Sequence, residues 1–345
     1  MDVSLFDYEL PAELIAQEPA EPRDSARLMV VDRAGRSFDH RVFRDLPSYL
    51  RPADFLVVNE TRVIRARLLG RKARTGGSAE LLLLRPRSDD VWETLAKPGR
   101  RLSPGARIEF EGSELSAVIV ERLPGGGRLV RFELPGGDSS RLRLELGRLG
   151  QVPLPPYIHR PLVNAERYQT VYAVDEASVA APTAGLHFTR PLLERVTALG
   201  CDIVPVRLTV GLDTFRPVSE ARVEDHVIHT EPFEVGEDSA RRINERRENG
   251  GRVVSVGTTS ARVLETVAGQ DGSIRAAAGE TSLFIYPGYR FKAVDVLLTN
   301  FHLPRSTLLM LVSAFAGREL TLAAYEEAKR LRYRFFSFGD AMLIL

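Results

Sequence analysis

The stretch that decides the fold is Arg252–Gly269, "RVVSVGTTSARVLETVAG". Its first part, "RVVSVG", is a short β-branched run of the kind that forms a buried strand. Its second part places Val263, Leu264 and Val267 on one helix face. The hydroxyl residues Thr258, Thr259 and Ser260 open the second part directly after Gly257. A strand that passes so directly into a helix reads as one unit of a sheet with parallel strands and helical cover.

The same texture continues outward. "CDIVPVRLTV" and "AVDVLLTN" read as strands, and "STLLMLVSAFAG" as a buried helix because it is apolar nearly all round. Thr189 can cap a helix that has Pro191 in its first turn and Gly200 after its end. Leu192, Leu193, Val196 and Leu199 would form its apolar face. "LPAELIAQEP" is a short helix candidate, and "YEEAKRLRYR" an exposed helix with Glu326 and Arg330 at pairing distance. From about Arg65 to Gly150 the pattern changes. Short β runs such as "SAELLLL", "RIEFE" and "LSAVIVERL" are separated by glycine turns, with no long helical pattern. The expected fold is therefore α/β, a mixed and partly parallel sheet flanked by helices, with an inserted all-β barrel domain. The expected boundaries are 1–64 and 153–345 for the α/β domain and 65–152 for the barrel.

Composition bounds the function classes. The chain has 345 residues, 44% hydrophobic and 27% charged, as in ordinary soluble proteins. A formal net charge of +1 leaves no global field for nucleic acid, though a local basic patch remains allowed. Cys201 is the only cysteine, which excludes an intrachain disulfide and a cysteine metal cluster. "MDVSLFDYELP" lacks the pattern of a signal peptide, and the longest apolar run is too short to span a bilayer. These features predict a cytoplasmic protein.

Three segments, "APTAGLHFT", "VGTTSARV" and "TNFHLPRST", each join a strand-like run to a helix. In open α/β sheets, ligands sit beyond the carboxyl ends of the strands, where helix N-termini offer free N–H groups. Thr183, Thr258, Thr259, Ser260 and Ser306 supply hydroxyls, and Gly185 would allow close backbone approach to a ligand. The alternative is that these hydroxyls only cap helices. His187 and His302 occupy matching places in two of the segments and are candidates for proton transfer, the alternative being a structural hydrogen bond. "EDHVIHTE" adds His226 and His229, but the spacing fits no common zinc pattern, and residues three apart on a strand face opposite sides. Dinucleotide, P-loop and nucleophile-elbow motifs are absent. "KRLRYRFF" interleaves cations and aromatics, which suits either nucleic acid or a solvated helix running into a core strand.

"SVAAPTAGLHFT", "VEDHVIHTE", "VGTTSARVLE", "IYPGY", "LTNFHLPRSTLLMLVSAFAG" and "YRFFSFGDAMLIL" together resemble the S-adenosylmethionine:tRNA ribosyltransferase-isomerase family. "FDYELPAELIAQEPAEPRDSARLMV" and "NETRVIRARLLG" fit its N-terminal part. The resemblance runs from about Phe6 to Leu345 and is weakest in the β insertion. It implies a transferase-isomerase of queuosine biosynthesis. The ribosyl part of S-adenosylmethionine joins 7-aminomethyl-7-deazaguanine at the tRNA wobble position, giving epoxyqueuosine-tRNA, adenine and methionine. S-adenosylmethionine is then a cosubstrate, and no cofactor, metal or membrane is implied; a monomer is expected. His187 and His302 become the candidate catalytic residues. Thr183, Gly185, Asp213, Thr258, Thr259, Ser260, Asn300 and Arg305 become candidate substrate-binding residues, and the barrel is expected to help hold tRNA. In "LTVGLDTF" the family usually has histidine and glycine where this chain has Thr209 and Asp213, so no histidine base acts at Thr209 and a carboxylate is added at Asp213.

Overall fold

The structure, a computed structural model, describes residues 1–123, 126–211 and 217–345. The chain divides into two compact units, Met1–Arg62 with Pro155–Leu345, and Val63–Leu154.

The larger unit is built on a nine-stranded mixed sheet. Its spatial order is Ala277–Thr281, Glu231–Val235, Asp202–Leu208, Phe55–Asn59, Val253–Val256, Val296–Asn300, Ala341–Ile344, Arg27–Asp32 and Ser37–Val42. The four strands from Asp202–Leu208 to Val296–Asn300 run parallel. All residues of Phe55–Asn59, Val253–Val256 and Val296–Asn300 are buried, which is why they read as continuous apolar runs rather than alternating ones. Successive side chains still go to opposite faces. Phe55 and Val57 join one core with Val263, Leu264 and Met310, while Leu56 and Val58 join the other with Phe188, Leu192 and Val196.

Among the four parallel strands, the first in the chain, Phe55–Asn59, lies between the second and the third. The strand order reverses there, so the crevice beyond Asn59 and Val256 is the place where a doubly wound sheet takes a ligand.

Local chemistry explains most elements. Thr189 caps the Arg190–Ala198 helix, accepting from Leu192 N–H at 3.3 Å, and Gly200 takes φ +90 beyond its end. Leu192 and Val196 are buried, but Leu199 is 41% exposed and does not belong to the apolar face. "LPAELIAQEP" forms only the single turn Ala12–Leu14, because Ile15 bridges to Phe335 and Ala16 N–H bonds Phe335 O at 3.2 Å. In the Arg318–Arg330 helix, Arg330 pairs with Glu327 at 2.7 Å rather than with Glu326, whose partner is Lys329. No single helix among the described residues is long and apolar enough to cross a membrane.

The smaller unit is a closed antiparallel barrel in the order Arg128–Glu133, Val91–Lys97, Ser78–Pro86, Arg67–Lys72, Arg107–Glu109 and Ser116–Arg122. Leu68, Leu81, Ile108, Ile119, Val130 and Phe132 fill it. The unit is not all β, since Ser139–Leu149 is an α-helix capped by Asp138.

At the amino edge of the large sheet, Asp54 is fully buried and accepts Arg252 Nη2 at 2.6 Å and Arg51 N–H at 2.8 Å. Burial opposes its charge, but the Arg252 and main-chain hydrogen bonds outweigh it and hold the carboxyl below its usual range. Asp54→Ala strands the guanidinium and should cost about 3 kcal/mol of unfolding free energy in urea denaturation, the low end for a broken buried pair because Arg252 is partly solvated.

Candidate active site

The Val296–Asn300 strand ends in a buried amide beside the 3₁₀ turn Thr183–His187. Thr183 Oγ1 donates to Asn300 Oδ1 at 2.8 Å. That fixes the amide, whose Nδ2 then donates to His187 Nε2 at 3.3 Å. Nε2 is therefore an acceptor, and the ring proton sits on Nδ1. The imidazole also packs on Phe43, with ring centroids 4.9 Å apart. Burial lowers the His187 pKa to about 4; Asp340 opposes the shift, and Arg334 and Arg23 add to it. The ring is neutral near pH 7, able to accept a proton at Nε2 but not charged to act as an imidazolium acid.

The turn is held from several sides. Arg23 donates to Gln169 O at 2.7 Å, Glu166 O at 2.6 Å and Leu186 O at 3.2 Å. Gly185 is glycine for a reason different from the one expected: a Cβ there would lie 2.0 Å from the Tyr172 hydroxyl. On the other side, Ala184 Cβ lies 3.7 Å from where a Cβ of Gly257 would be, and Gly257 has φ +88. The Thr183–His187 turn thus adjoins the N-terminus of the Gly257–Val267 helix.

That N-terminus has no side-chain cap. Thr259 Oγ1 is buried without a partner among the described residues, as are Tyr172 Oη and Thr170 Oγ1 near Gly185. Buried hydroxyls normally find partners, so these three are unspent. Ser260 is different: its hydroxyl bonds Val256 O at 3.0 Å and is spent within the helix.

His302 is set apart from His187 by its bonds. Its Nε2 lies 2.7 Å from Thr299 Oγ1, its N–H bonds Tyr325 Oη at 2.8 Å, and its carbonyl accepts from Tyr8 Oη. Burial alone lowers its pKa to about 3. Arg305 is half exposed and paired with Asp7, and Ser306 caps the Thr307–Ala316 helix. Asp213 lies outside the described residues. His226 and His229 precede the Glu231–Val235 strand rather than lying on it, and His226 Nδ1 is 3.0 Å from Glu220. No group of three or more His, Cys, Asp or Glu side chains among the described residues could hold a metal. In "KRLRYRFF" the aromatics Tyr333, Phe335 and Phe336 are buried, and Lys329, Arg330 and Arg334 pair with Glu326, Glu327 and Asp340. Its aromatics are therefore core residues unable to stack on bases, and of its four cations Arg332 alone has no acid partner among the described residues.

Sequence reasoning passed over Arg23, Asn59, Thr170, Tyr172 and Asp340. Arg23 and Asp340 do lie inside quoted motifs, "EPRDSARLMV" and "FSFGDAMLIL", where a charge between apolar runs was the available signal.

A switch point faced by a neutral imidazole, a fixed amide and an open helix end places this chain in the class of α/β proteins that bind small polar ligands at the carboxyl edge of the sheet. Residues 3–344 match a family described as "Queuosine biosynthesis protein". The chain is 58% identical to the S-adenosylmethionine:tRNA ribosyltransferase-isomerase of Symbiobacterium thermophilum and 56% identical to that of Heliobacterium modesticaldum, with 100% of each chain covered. The crystal structure of an S-adenosylmethionine tRNA ribosyltransferase from Thermotoga maritima is 42% identical, with a TM-score of 0.58 over 99% of this chain and 100% of that one. The chain belongs to this queuosine biosynthesis family.

The two buried histidines make stability depend on pH. Unfolded, each binds its proton near pH 6.5; folded, only near pH 4 or pH 3. Below 6.5 the unfolded chain holds more protons, so stability is lost as pH falls toward the folded values. Each histidine adds a slope of up to about 1.4 kcal/mol per pH unit in that window. Urea denaturation across pH 4–7 should show it, and His302→Gln should flatten it by about one proton.

Proposed function

We propose that this chain transfers and isomerises the ribosyl moiety of S-adenosylmethionine onto 7-aminomethyl-7-deazaguanine at the tRNA wobble position, releasing adenine and methionine. Family membership over residues 3–344 supports the reaction. The observation that carries the site is the Thr183–Asn300–His187 hydrogen-bond chain at the switch point.

The reaction needs a base at a carbon beside the sulfonium, help for the leaving adenine, and a hold on the methionine. His187 is the candidate base, since its neutral Nε2 is presented by Asn300 and can take a proton once a substrate C–H displaces the long amide contact. Thr258 and Thr259, with the first N–H groups of the Gly257–Val267 helix, hold the methionine carboxylate. Asn300 and Thr183 orient the imidazole. His302 shapes the strand end through Thr299 rather than touching substrate. Arg305 and Asp213 remain candidates for contact with tRNA and the sulfonium. Residues 1–64 and 153–345 form the catalytic domain, and 65–152 an inserted domain. The protein works as a cytoplasmic monomer without metal or other cofactor, and chelation should leave turnover intact.

Labelled S-adenosylmethionine incubated with tRNA bearing the deazaguanine identifies the reaction by its products. Adenine and methionine support it; S-adenosylhomocysteine would mean a methyltransferase, and no small product a binding protein. His187→Ala should lower single-turnover rates by roughly 10²-fold or more, within the range for general acid–base loss, measured at a temperature where the variant, weakened by losing its contacts with Asn300 and Phe43, is still folded. His302→Ala should instead lose about 1–3 kcal/mol of stability by stranding the polar groups around it. Wild-type turnover in His187→Ala would remove that residue from the chemistry.

A further inference from the structure

The barrel unit carries a charge that the whole-chain total conceals. Residues 63–154 hold seventeen Lys and Arg against eleven Asp and Glu, a surplus of six positive charges. The rest of the chain holds thirty against thirty-five. The near-neutral total is therefore the sum of a basic barrel and an acidic α/β unit.

Within the barrel the surplus is not evenly spread. Eight of the seventeen cations pair with an acid among the described residues, including Arg67 with Glu80, Arg85 and Arg87 with Glu93, Arg107 with Glu133, Arg143 with Asp89 and Arg148 with Glu145. The loop after Val91–Lys97, "KPGRRLSPG" at 97–105, is different. Arg100 and Arg101 are exposed and have no carboxylate partner among the described residues. Arg122 comes alongside, its Nη2 3.0 Å from Ser103 Oγ, and is likewise exposed and without an acid among the described residues.

Beneath the loop lies an unusual support. Arg128 is 5% exposed, yet no carboxylate among the described residues meets it. Its guanidinium donates to four backbone carbonyls, Gly99 O at 2.6 Å, Gly126 O and Gly127 O at 2.8 Å, and Leu102 O at 3.1 Å. Leu102 is fully buried and pins the loop from within. Burying a guanidinium on carbonyls alone adds one more uncompensated positive charge to this end of the barrel. The result is two exposed arginines on a loop of fixed shape and a third beside it at the end of the Ser116–Arg122 strand, with a fourth cation behind them.

We propose that the 97–103 loop with Arg122 is the barrel's phosphate-docking surface for tRNA. The proposal rests on the tRNA-modifying function above and deepens it by naming where the barrel grips the backbone. Arginine suits the role because its planar fork meets phosphate oxygens in pairs. Arg100, Arg101 and Arg122 make the contacts, and Arg128 is a positioning residue that never touches the RNA. Contacts of this kind hold and orient but read no sequence.

The test compares wild type, Arg100→Ala/Arg101→Ala and Arg122→Ala in the full-length protein. Affinity for tRNA bearing the deazaguanine is measured over a series of KCl concentrations. The slope of log K against log salt should become shallower by about 0.7–0.9 for each phosphate no longer neutralised. Binding should weaken several-fold, equally for modified and unmodified tRNA. S-adenosylmethionine affinity and melting point should stay at wild-type values, because the loop's hold on Arg128 uses main-chain carbonyls that alanine retains. Unchanged tRNA affinity and salt slope in folded variants would overturn the proposal. So would weakening confined to modified tRNA, which would mean base recognition. Arg128→Met gives a second reading: a folded barrel with a shallower slope supports the positioning role, and a folded barrel with the wild-type slope removes it. Failure of the enzymatic reading is visible separately, as wild-type protein that binds tRNA but releases no adenine.

Discussion

The carboxyl edge of the sheet depends on one buried amide, that of Asn59. Its Nδ2 donates to Leu208 O at 3.0 Å and its Oδ1 accepts Leu208 N–H at 3.1 Å. A side chain thus continues the ladder between Phe55–Asn59 and Asp202–Leu208 after their main chains part. The same oxygen accepts from Thr61, and Ser178 Oγ donates to Thr61 Oγ1 at 2.7 Å while accepting Val210 N–H at 3.1 Å. Every group in this network is fully or almost fully buried, so any unpaired member would bear its whole desolvation cost. Ser178 is also where the chain enters "VAAPTAGLH". The position of the His187 turn is therefore inherited from the end of the first parallel strand.

The electrostatics of the site follow from its burial. A cationic cosubstrate such as a sulfonium gains nothing from a second positive charge beside it. His187 and His302 are both held uncharged by desolvation. Asp340, buried and bound to the main-chain N–H groups of Arg27 at 2.9 Å and Arg334 at 2.8 Å, is the one group whose charge raises the His187 pKa. It would stabilise the imidazolium that forms once a proton arrives. At a pKa near 4 the resting ring is a weaker base than an ordinary histidine, so its use as a general base depends on Asp340 and a bound substrate favouring the imidazolium.

How far the sequence could be read depended on whether local pattern and tertiary context agreed. They agreed in the Thr189 cap, Pro191 and Gly200, and in the all-buried parallel strands. They disagreed in "RLRLELGRL", where Leu142, Leu144 and Leu146 alternate as in a strand. The Asp138 cap makes it a helix instead, with Leu142 and Leu146 inward and Leu144 75% exposed. In the candidate site, His187, Asn300 and Thr183 were visible because their residue types carry chemistry. Ser260 carried the same signal but spends its hydroxyl on the helix, and only coordinates distinguish it from Thr259. Tyr172 gave no such sign, because its role is a contact with the glycine it presses against, and Arg23 offered only a charge, its contacts lying across more than a hundred residues of chain.

Gly185 shows what the compact "AAPTAG" segment is for. Opposite its Cα sits the Tyr172 hydroxyl, in the space a side chain would need. Leu186 O is held by Arg23, Ala184 packs toward Gly257, and Thr183 and His187 are joined through Asn300. The five residues of a single helical turn are thus held by four partners, Asn300, Gly257, Tyr172 and Arg23, from different parts of the large unit. A side chain so constrained has little torsional freedom left to lose when a substrate binds, which removes part of the ordering cost. Glycine is needed at 185 because there the Tyr172 hydroxyl comes up against the backbone itself. The cost is that hydroxyls at Thr170, Tyr172 and Thr259 are left without partners around the turn, and a polar ligand that supplied those partners would recover it.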